Sequence, residues 1–492
     1  MVRQRLEVER KYDVPPDAVL PDELGPAARR DELLAVYWDT AQMALQRHRI
    51  TLRHRSGGQD AGWHLKLPAG EARLEIEVWA EDGDSVPTEL SALVRAACRG
   101  AALVPVARLA TTRSVYPVLD DQGRTLVEVV DDDVLGQALL SERQLHWREW
   151  EAELVAGDRA ALEAVDRCLR DARARPSASP SKVGRLLPAG PVLVPVLRRT
   201  SAAGEVLRRH LAEQRDELVE RDPQVRLVAP DAVHKMRVAT RRLRSALQTF
   251  RLLLDPASTS GLSGELRWLA GELGATRDAE VVRARLLDLL AEEPPGFVVG
   301  PVLDTVDRDL DRRRLAAHER VVDALDSERY LALLRALDGL VAAALPPGPA
   351  QDAARDVLPR LIRTRDRRLR KALRAADTAP DAPARDLALH EARKQAKAAR
   401  YAAEAIRPPF GGAARRYAAA VTTLQEVLGD RQDSVVLRAV LLELGADSTR
   451  SGRNGFTLGR LHALEQVRST APGDVPAVRR RFDRPRLRAW LV

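Results

Sequence analysis

The chain has 492 residues, 45% hydrophobic and 30% charged, with a formal net charge of +8. That length predicts two to three domains, and the composition excludes an intrinsically disordered protein. No apolar run reaches the ~18 residues of a membrane span, MVRQRLEVER lacks the apolar centre of a secretory signal, and Cys98 and Cys168 have no metal-binding or redox spacing, so the expectation is a cytoplasmic protein without disulfides or cysteine-ligated zinc.

Residues 1–175 hold 24 Lys and Arg against 31 Asp and Glu, a net of −7; the remainder holds 55 against 40, a net of +15. Such an asymmetry predicts two functions in one chain. The basic part wants a polyanion, whereas carboxylates set among cations can hold a divalent ion.

Residues 1–175 read as short alternating strands: LEVERKYDV, ITLRHR, GWHLKLP, RLEIEVW, RTLVEVVDD and REWEAEL. Helices are expected near 88–99 and 158–173. Because strand side chains alternate faces, Glu7, Glu9 and Lys11 share one side. So do Arg53 and Arg55, His64 and Lys66, then Arg73, Glu75 and Glu77, and finally Glu149, Glu151 and Glu153. Leu6, Val8, Leu65, Leu67, Leu74, Ile76, Trp150 and Ala152 take the other face. One such strand is ordinarily a sheet with one dry and one wet face. Five strands repeating a polar face made almost wholly of full charges instead suggest a closed barrel with the charges inside. Phosphates and Mg²⁺ would offset the cost of burying them.

The Pro-, Ser- and Gly-rich stretch 176–196 reads as a linker. From 197 onward Ala/Leu/Arg-rich segments with 3.6-residue periodicity predict helices. PPGPA at 346–350 divides them, giving expected repeats at about 197–345 and 351–485 within a domain spanning 197–492. HKMRVATRRLRSALQTF from His234 aligns with HEARKQAKAARYAAEAI from His390, placing Arg237 opposite Arg393, Arg241 opposite Lys397 and Arg244 opposite Arg400. LGATRDAEVVRARL from Leu273 then aligns with LGDRQDSVVLRAVL from Leu428, with Asp278 opposite Asp433; Gln432 replaces Arg277, so the halves are not chemically equal. Two matches in register argue for duplication.

On a helix, residues three, four and seven apart share a face. His234, Arg237, Arg241 and Arg244, with Arg242 beside them, form one basic stripe. His390, Arg393, Lys397 and Arg400, with Lys394 beside them, form its mate. A single stripe is usually a solvated surface; two facing ladders would make a groove for a linear polyanion. Scarce aromatic residues argue against base stacking and therefore against nucleic acid. His234 and His390 have no second ligand at metal spacing, which favours phosphate hydrogen bonding or packing. The roles of His318 and His462 stay open.

The order ExExK, RHR, HLKLP, RLEIEV, VVDDD and EWEAEL over 1–175 resembles the CYTH, or triphosphate tunnel metalloenzyme, superfamily. The His-led basic helices and LGxxxD helices over roughly 197–485 resemble the CHAD (conserved histidine α-helical) domain. The resemblance implies an α+β multidomain protein: an N-terminal eight-stranded antiparallel β tunnel with flanking helices, then an all-α domain of two repeated four-helix units. It further implies Lys11, Arg53, Arg55, Lys66 and Arg113, with Arg73 and Arg108 as weaker members, as triphosphate ligands. Glu7, Glu9, Glu151 and Glu153 become carboxylates for Mg²⁺ or Mn²⁺, supported by Glu75, Glu77, Glu128 and Asp131, and Lys11, Glu7 and Glu9 become the catalytic set.

The expected activity is metal-dependent hydrolysis of inorganic triphosphate, with the helical domain binding inorganic polyphosphate, in the cytoplasm and in association with polyphosphate granules. Two alternatives stay open: a non-catalytic polyphosphate-binding adaptor, and a tunnel enzyme acting on thiamine triphosphate or cyclising ATP. Of the seven lysines, Lys11, Lys66, Lys235, Lys394 and Lys397 fall inside the proposed anion sites, and Lys182 and Lys371 fall outside them.

Overall fold

The computed structural model describes residues 2–80, 83–188, 195–300, 302–470 and 475–491. It forms two compact units, Met1–Leu193 and Val194–Val492.

The first unit is built on one antiparallel sheet of ten strands: β1 (Val2–Glu7), β2 (Glu9–Asp13), β3 (Arg29–Asp39), β4 (Thr51–Ser56), β5 (Gly62–Ala69), β6 (Ala72–Val78), β7 (Val104–Leu119), β8 (Thr125–Ala138), β9 (Gln144–Leu154) and β10 (Arg175–Pro176). Their order is β1-β6-β5-β4-β3-β7-β8-β9-β2-β10. Ten strands replace the expected eight for two reasons. The N-terminal strand breaks at Val8 into β1 and β2, and β10 adds a short pairing of Arg175 with Asp13 and Pro176 with Tyr12. β1 pairs with β6, setting Glu7 opposite Arg73, whereas β2 pairs with β9, setting Glu9 opposite Glu153. β1, at one end of the strand order, and β2, next to the other end, therefore meet at Val8, whose carbonyl accepts from the Leu154 amide at 2.9 Å. The sheet is curled, and its alternation sends charge to the inside.

Helices α1 (Ala44–Arg47), α2 (Thr88–Cys98), α3 (Arg159–Asp171) and α4 (Lys182–Leu186) complete this unit. α3 is capped by Asp158, whose side chain accepts from the Ala161 amide. Its Leu162, Val165 and Leu169 cover the outward apolar face of β2, β8 and β9, burying Tyr12, Val127, Val129, Trp150 and Ala152. Burial of Leu or Val side chains of this kind stabilises by about 1.5–3 kcal/mol each.

The stretch read as a linker, 176–196, is not bare chain. Ser177 donates its amide to the Lys11 carbonyl at 2.8 Å. Ser181 caps α4 by accepting from the Gly184 amide at 3.0 Å. Val183 and Leu186 of α4 are buried with Trp147, Val134 and Leu109. A Cβ on Gly136 would stand 3.0 Å from the Trp147 ring and 3.2 Å from Leu186, so the glycine makes room for this docking. Pro, Ser and Gly composition signals missing periodicity; it does not signal missing contacts.

Within its described residues the second unit is helical: α5 (Ala203–Arg226), α6 (Ala232–Thr249), α7 (Pro256–Thr259), α8 (Leu262–Glu292), α9 (Val302–Asp326), α10 (Glu328–Ala342), α11 (Ala354–Asp377), α12 (Ala382–Ala405), α13 (Arg407–Arg450), α14 (Phe456–Thr470) and α15 (Val475–Phe482). α5, α6, α8 and α9 pack in succession, as do α11, α12, α13 and α14, and α6 also meets α12. α13 bends at Gly411, where φ is 51°. The side chains of Gln432 and Asp433 lie outside the described residues, so their expected counterparts to Arg277 and Asp278 are not placed. No described helix is long and apolar enough to cross a membrane.

Candidate active site and basic helices

Glu7, Glu9, Lys11, Arg53, Arg55, Lys66, Arg73, Glu75, Arg113, Glu151 and Glu153 all line one cavity of the first unit. Period-two alternation on β1, β2, β4, β5, β6, β7 and β9 turns each of them inward, so the charged face predicted from the strands is the face the sheet curls around. Glu7, Arg55, Glu75 and Glu151 are buried.

Four predicted residues do not line it. Arg108 is exposed on β7, on the face opposite Arg113. Asp131 also faces away from the cavity and pairs with Arg148 through two bonds of 2.8 and 2.6 Å. Its neighbour Asp132, fully buried, turns inward instead and receives Arg113 at 2.7 and 2.6 Å. Glu128 lies four residues along β8 from Asp132, 3.9 Å from Arg29. Glu77 lies near the β1 rim, 3.9 Å from Arg3.

Sequence reading missed several members: Arg5, Tyr37, Asp60 and Lys182 line the same cavity, and Lys182 comes from α4 in the supposed linker. The signal for Arg5 was available, since it precedes Glu7 by two on one strand. Lys182 had no such signal. Its place follows from the Ser181 cap and the burial of Val183 and Leu186, which set it at the first turn of a docked helix.

The charges form a tight network. The Lys182 amine stands 2.9 Å from Asp132, 2.9 Å from Glu149 and 2.7 Å from Glu151. Lys11 pairs with Glu151, and with Glu9 at 2.9 Å. Lys66 meets Glu7 at 2.5 Å, and Arg5 bridges Glu75 at 3.0 Å and Glu153 at 2.6 Å. Against burial, Lys11 and Lys182 hold Glu151 well below the ordinary carboxylate range.

Two corners are unbalanced in opposite senses. Burial and the neighbouring Arg53 push Arg55 down to about 10, with Arg113 adding to the repulsion. Burial and the neighbouring Glu7 push Glu153 up to about 7. Arg53 Nε, Arg55 Nε and Glu7 Oε2 are buried without a hydrogen-bond partner among the described residues. In the first corner Asp60 pairs with Arg55 but two guanidinium Nε groups stay unpartnered, and in the second Lys66 and Arg5 pair with Glu7 and Glu153 but one Glu7 oxygen stays unpartnered.

Two buried acidic groupings have metal-like spacing, His64 with Glu75 and Glu77, and Asp132 with Glu149 and Glu151. Protein cations already occupy the second. In the first, His64 is engaged on both ring nitrogens, with Glu75 at 3.1 Å and the Asp60 carbonyl at 2.7 Å. The unpartnered Glu7 oxygen and the raised Glu153 carboxyl make their corner the better fit for a divalent cation.

In the second unit the basic stripes lie where α6 meets α12. Arg242 of α6 and Arg400 of α12 both pair with Glu404, at 2.8 and 2.7 Å, and both stand over the Tyr401 ring, at 5.8 and 5.6 Å. Burial lowers Arg241, and Arg237, Arg244 and Arg393 repel it further, which brings the two ladders within electrostatic reach. Each ladder lays an arginine across a glycine. A Cβ on Gly274 would stand 3.7 Å from Arg237, and one on Gly429 would stand 3.5 Å from Arg393. Lys394 reaches Glu391 at 3.6 Å, and Lys397 and His390 are half-buried. His234 is exposed, His318 lies on α9 with its basicity lowered by burial and Arg314, and His462 lies on α14.

The CYTH domain family matches residues 5–186, and the CHAD domain family matches residues 209–442. The uncharacterized protein Rv2226 of Mycobacterium tuberculosis (strain ATCC 25618 / H37Rv) is 38% identical over 489 residues, covering 94% of this chain and 93% of that protein. Among solved structures, the CHAD domain from the plant Ricinus communis is 25% identical, covering 60% of this chain and 94% of that one, with a TM-score of 0.46. PptA from Streptomyces chartreusis is 24% identical, covering 57% of this chain and 98% of that one, with a TM-score of 0.45. The chain belongs to the CYTH tunnel-enzyme family through its first unit and to the CHAD family through its second.

Proposed function

We propose that the first unit hydrolyses inorganic triphosphate with Mg²⁺ or Mn²⁺ and that the second binds inorganic polyphosphate. The observation that carries this reading is a pair of incompletely satisfied corners in one cavity: Arg53 Nε and Arg55 Nε stay unpartnered although Asp60 pairs with Arg55, and Glu7 Oε2 stays unpartnered beside a raised Glu153 although Lys66 and Arg5 reach these two carboxylates. A phosphate chain bearing a divalent cation satisfies both at once.

In this reading Arg53, Arg55, Arg113, Lys66 and Lys182 grip the phosphates, with Arg73 and Arg5 at the rim. Guanidinium forks match pairs of phosphate oxygens, and each lysine supplies a point charge. Glu7, Glu9, Glu151 and Glu153 would hold the cation, which supplies charge neutralisation at the phosphates. Lys11, held charged by Glu151 and Glu9, stabilises negative charge as the anhydride bond breaks and keeps its proton throughout. Ligand entry exchanges partners: cations that now neutralise carboxylates turn to phosphate. In the second unit the ladders of α6 and α12 supply charge along a line, as a sequence-free polyanion needs.

Phosphate release is measured from tripolyphosphate, long polyphosphate, ATP and thiamine triphosphate, with each metal. Tripolyphosphate should be the best substrate. Lys11→Ala and Glu7→Ala should each lose at least about 100-fold in kcat, the scale of a lost charge-stabilising group. Full activity in either variant would remove the assignment, and preference for an organic triphosphate would replace the substrate.

A further inference from the structure

The chain beyond residue 442 lies outside the CHAD match, yet it builds a second cationic surface. Its segment RRRFDRPRLR, residues 479–488, runs through the end of α15 and a 3-10 turn at Pro485–Leu487. The segment is firmly anchored. Phe482 is fully buried, 6.2 Å from the Tyr417 ring of α13, and Trp490 stacks 6.1 Å from Tyr417 and 5.7 Å from Phe410. Arg488 reaches Asp366 of α11 at 3.2 Å. Asp483, the one carboxylate in the segment, is taken by Arg488 at 3.3 Å and Arg479 at 3.7 Å.

Apart from the exposed Arg480, what remains is Arg481, Arg484 and Arg486, all exposed. Together with Arg416 of α13 they line one groove, which runs over Ala419 and Ala420 and has no carboxylate among the described residues of its lining. None of these four arginines has an ion pair among the described residues, whereas Arg479 and Arg488 on the same segment are both paired. The groove is separate from the His-led ladders. Gln425 and Gly429 are the residues of α13 that meet Arg400 and Arg393. Nine residues separate Arg416 from Gln425, about two and a half turns, so the two lie on opposite sides of α13.

We propose that this groove is a second phosphate-chain site, which takes a linear inorganic polyphosphate independently of the α6 and α12 ladders. Its ligand class follows the reading of the second unit given above; its location does not depend on it. Four guanidinium groups without an ion pair among the described residues offer paired donors to successive phosphates. The methyl groups of Ala419 and Ala420 let a chain lie close to the helix. Among the described residues no aromatic ring lines the groove to stack a base, which favours an inorganic chain over nucleic acid. Two separated sites on one protein hold a long chain by avidity and a short one singly.

The test uses the full-length protein and end-labelled long-chain polyphosphate, titrated across a salt series. The groove variant is Arg481→Ala/Arg484→Ala/Arg486→Ala, and the ladder variant is Arg237→Ala/Arg241→Ala. The groove variant should bind at least about tenfold more weakly with a salt slope lower by about two, by analogy with counterion release from single strands, and it should hydrolyse tripolyphosphate like the parent. Unchanged affinity and slope would overturn the groove, whatever the ladder variant does. Weakening in the groove variant alone would keep the groove and remove the ladders. Loss of duplex DNA binding with polyphosphate binding intact would overturn the ligand class. If a melting curve shows the alanine variant unfolded, Arg481→Lys/Arg484→Lys/Arg486→Lys decides. It should weaken binding a few-fold through loss of the forked donors, and parental binding by it would overturn the proposal.

Discussion

Lys182 shows how much one buried charge organises. Its amine serves Asp132, Glu149 and Glu151 together, and removing it leaves three buried carboxylates facing the remaining cations. Breaking a buried ion pair costs about 3–5 kcal/mol, so Lys182→Met should lower urea stability by that order. The freed carboxylates would then bind protons more readily in the folded state. The deficit should therefore be smaller at pH 5 than at pH 8; an equal deficit at both would mean that Lys182 acts through packing. The run Asp131, Asp132 and Asp133 marks the limit of reading residues from sequence. Alternation fixes that neighbours face opposite ways, but three identical side chains hide which one faces in. Asp132 does, because Arg113 and Lys182 meet it there. Arg108 fails for a related reason: it lies five residues before Arg113, an odd separation that puts it on the outer face.

At the scale of elements, six strand segments and their polar faces were legible because period-two alternation survives in charged residues as well as apolar ones, whereas β3 and β7 were not read as strands. α4 was not. A five-residue helix has too few positions to show periodicity, and its burial comes from Trp147 and Gly136, remote in sequence. Of the two strands beyond the expected eight, one arises at Val8, where nothing in LEVERKYDV marks a break, and the other is β10. In the second unit, α5 carries a further titration. Burial and the neighbouring Arg242 lower His210 to about 4. Between its unfolded value near 6.5 and 4, the unfolded chain binds the extra proton. Stability from this group is thus complete above about pH 6.5 and is lost as pH falls toward 4, by up to about 3 kcal/mol. Denaturant titrations should show that slope in the parent and a shallower one in His210→Gln, where no proton can be taken up. Matching slopes would assign the acid sensitivity to another group.

For the whole molecule, the first unit extends past the end of α3, because β10 and α4 belong to its packing and its cavity. A fragment ending at residue 188 should fold and release phosphate from tripolyphosphate, whereas one ending at 175 lacks Lys182 and the buried Val183 and Leu186. It should melt at a lower temperature and lose activity. Equal melting and equal turnover in the two fragments would show that α4 is dispensable. The acidic and basic halves seen in the composition correspond to real differences in chemistry, but the boundary set by charge counting falls short of the one set by contacts.

The broken first strand also constrains how this protein comes into being. Residues 2–13 leave the ribosome before their partners, so β1 must wait for β6, and β2 must wait for β9, about 140 positions later in the chain. Pairing across so long a separation is slow. Glu7, Glu9 and Lys11 are thus born early and placed late, and the chemistry they carry is withheld until synthesis has passed α4.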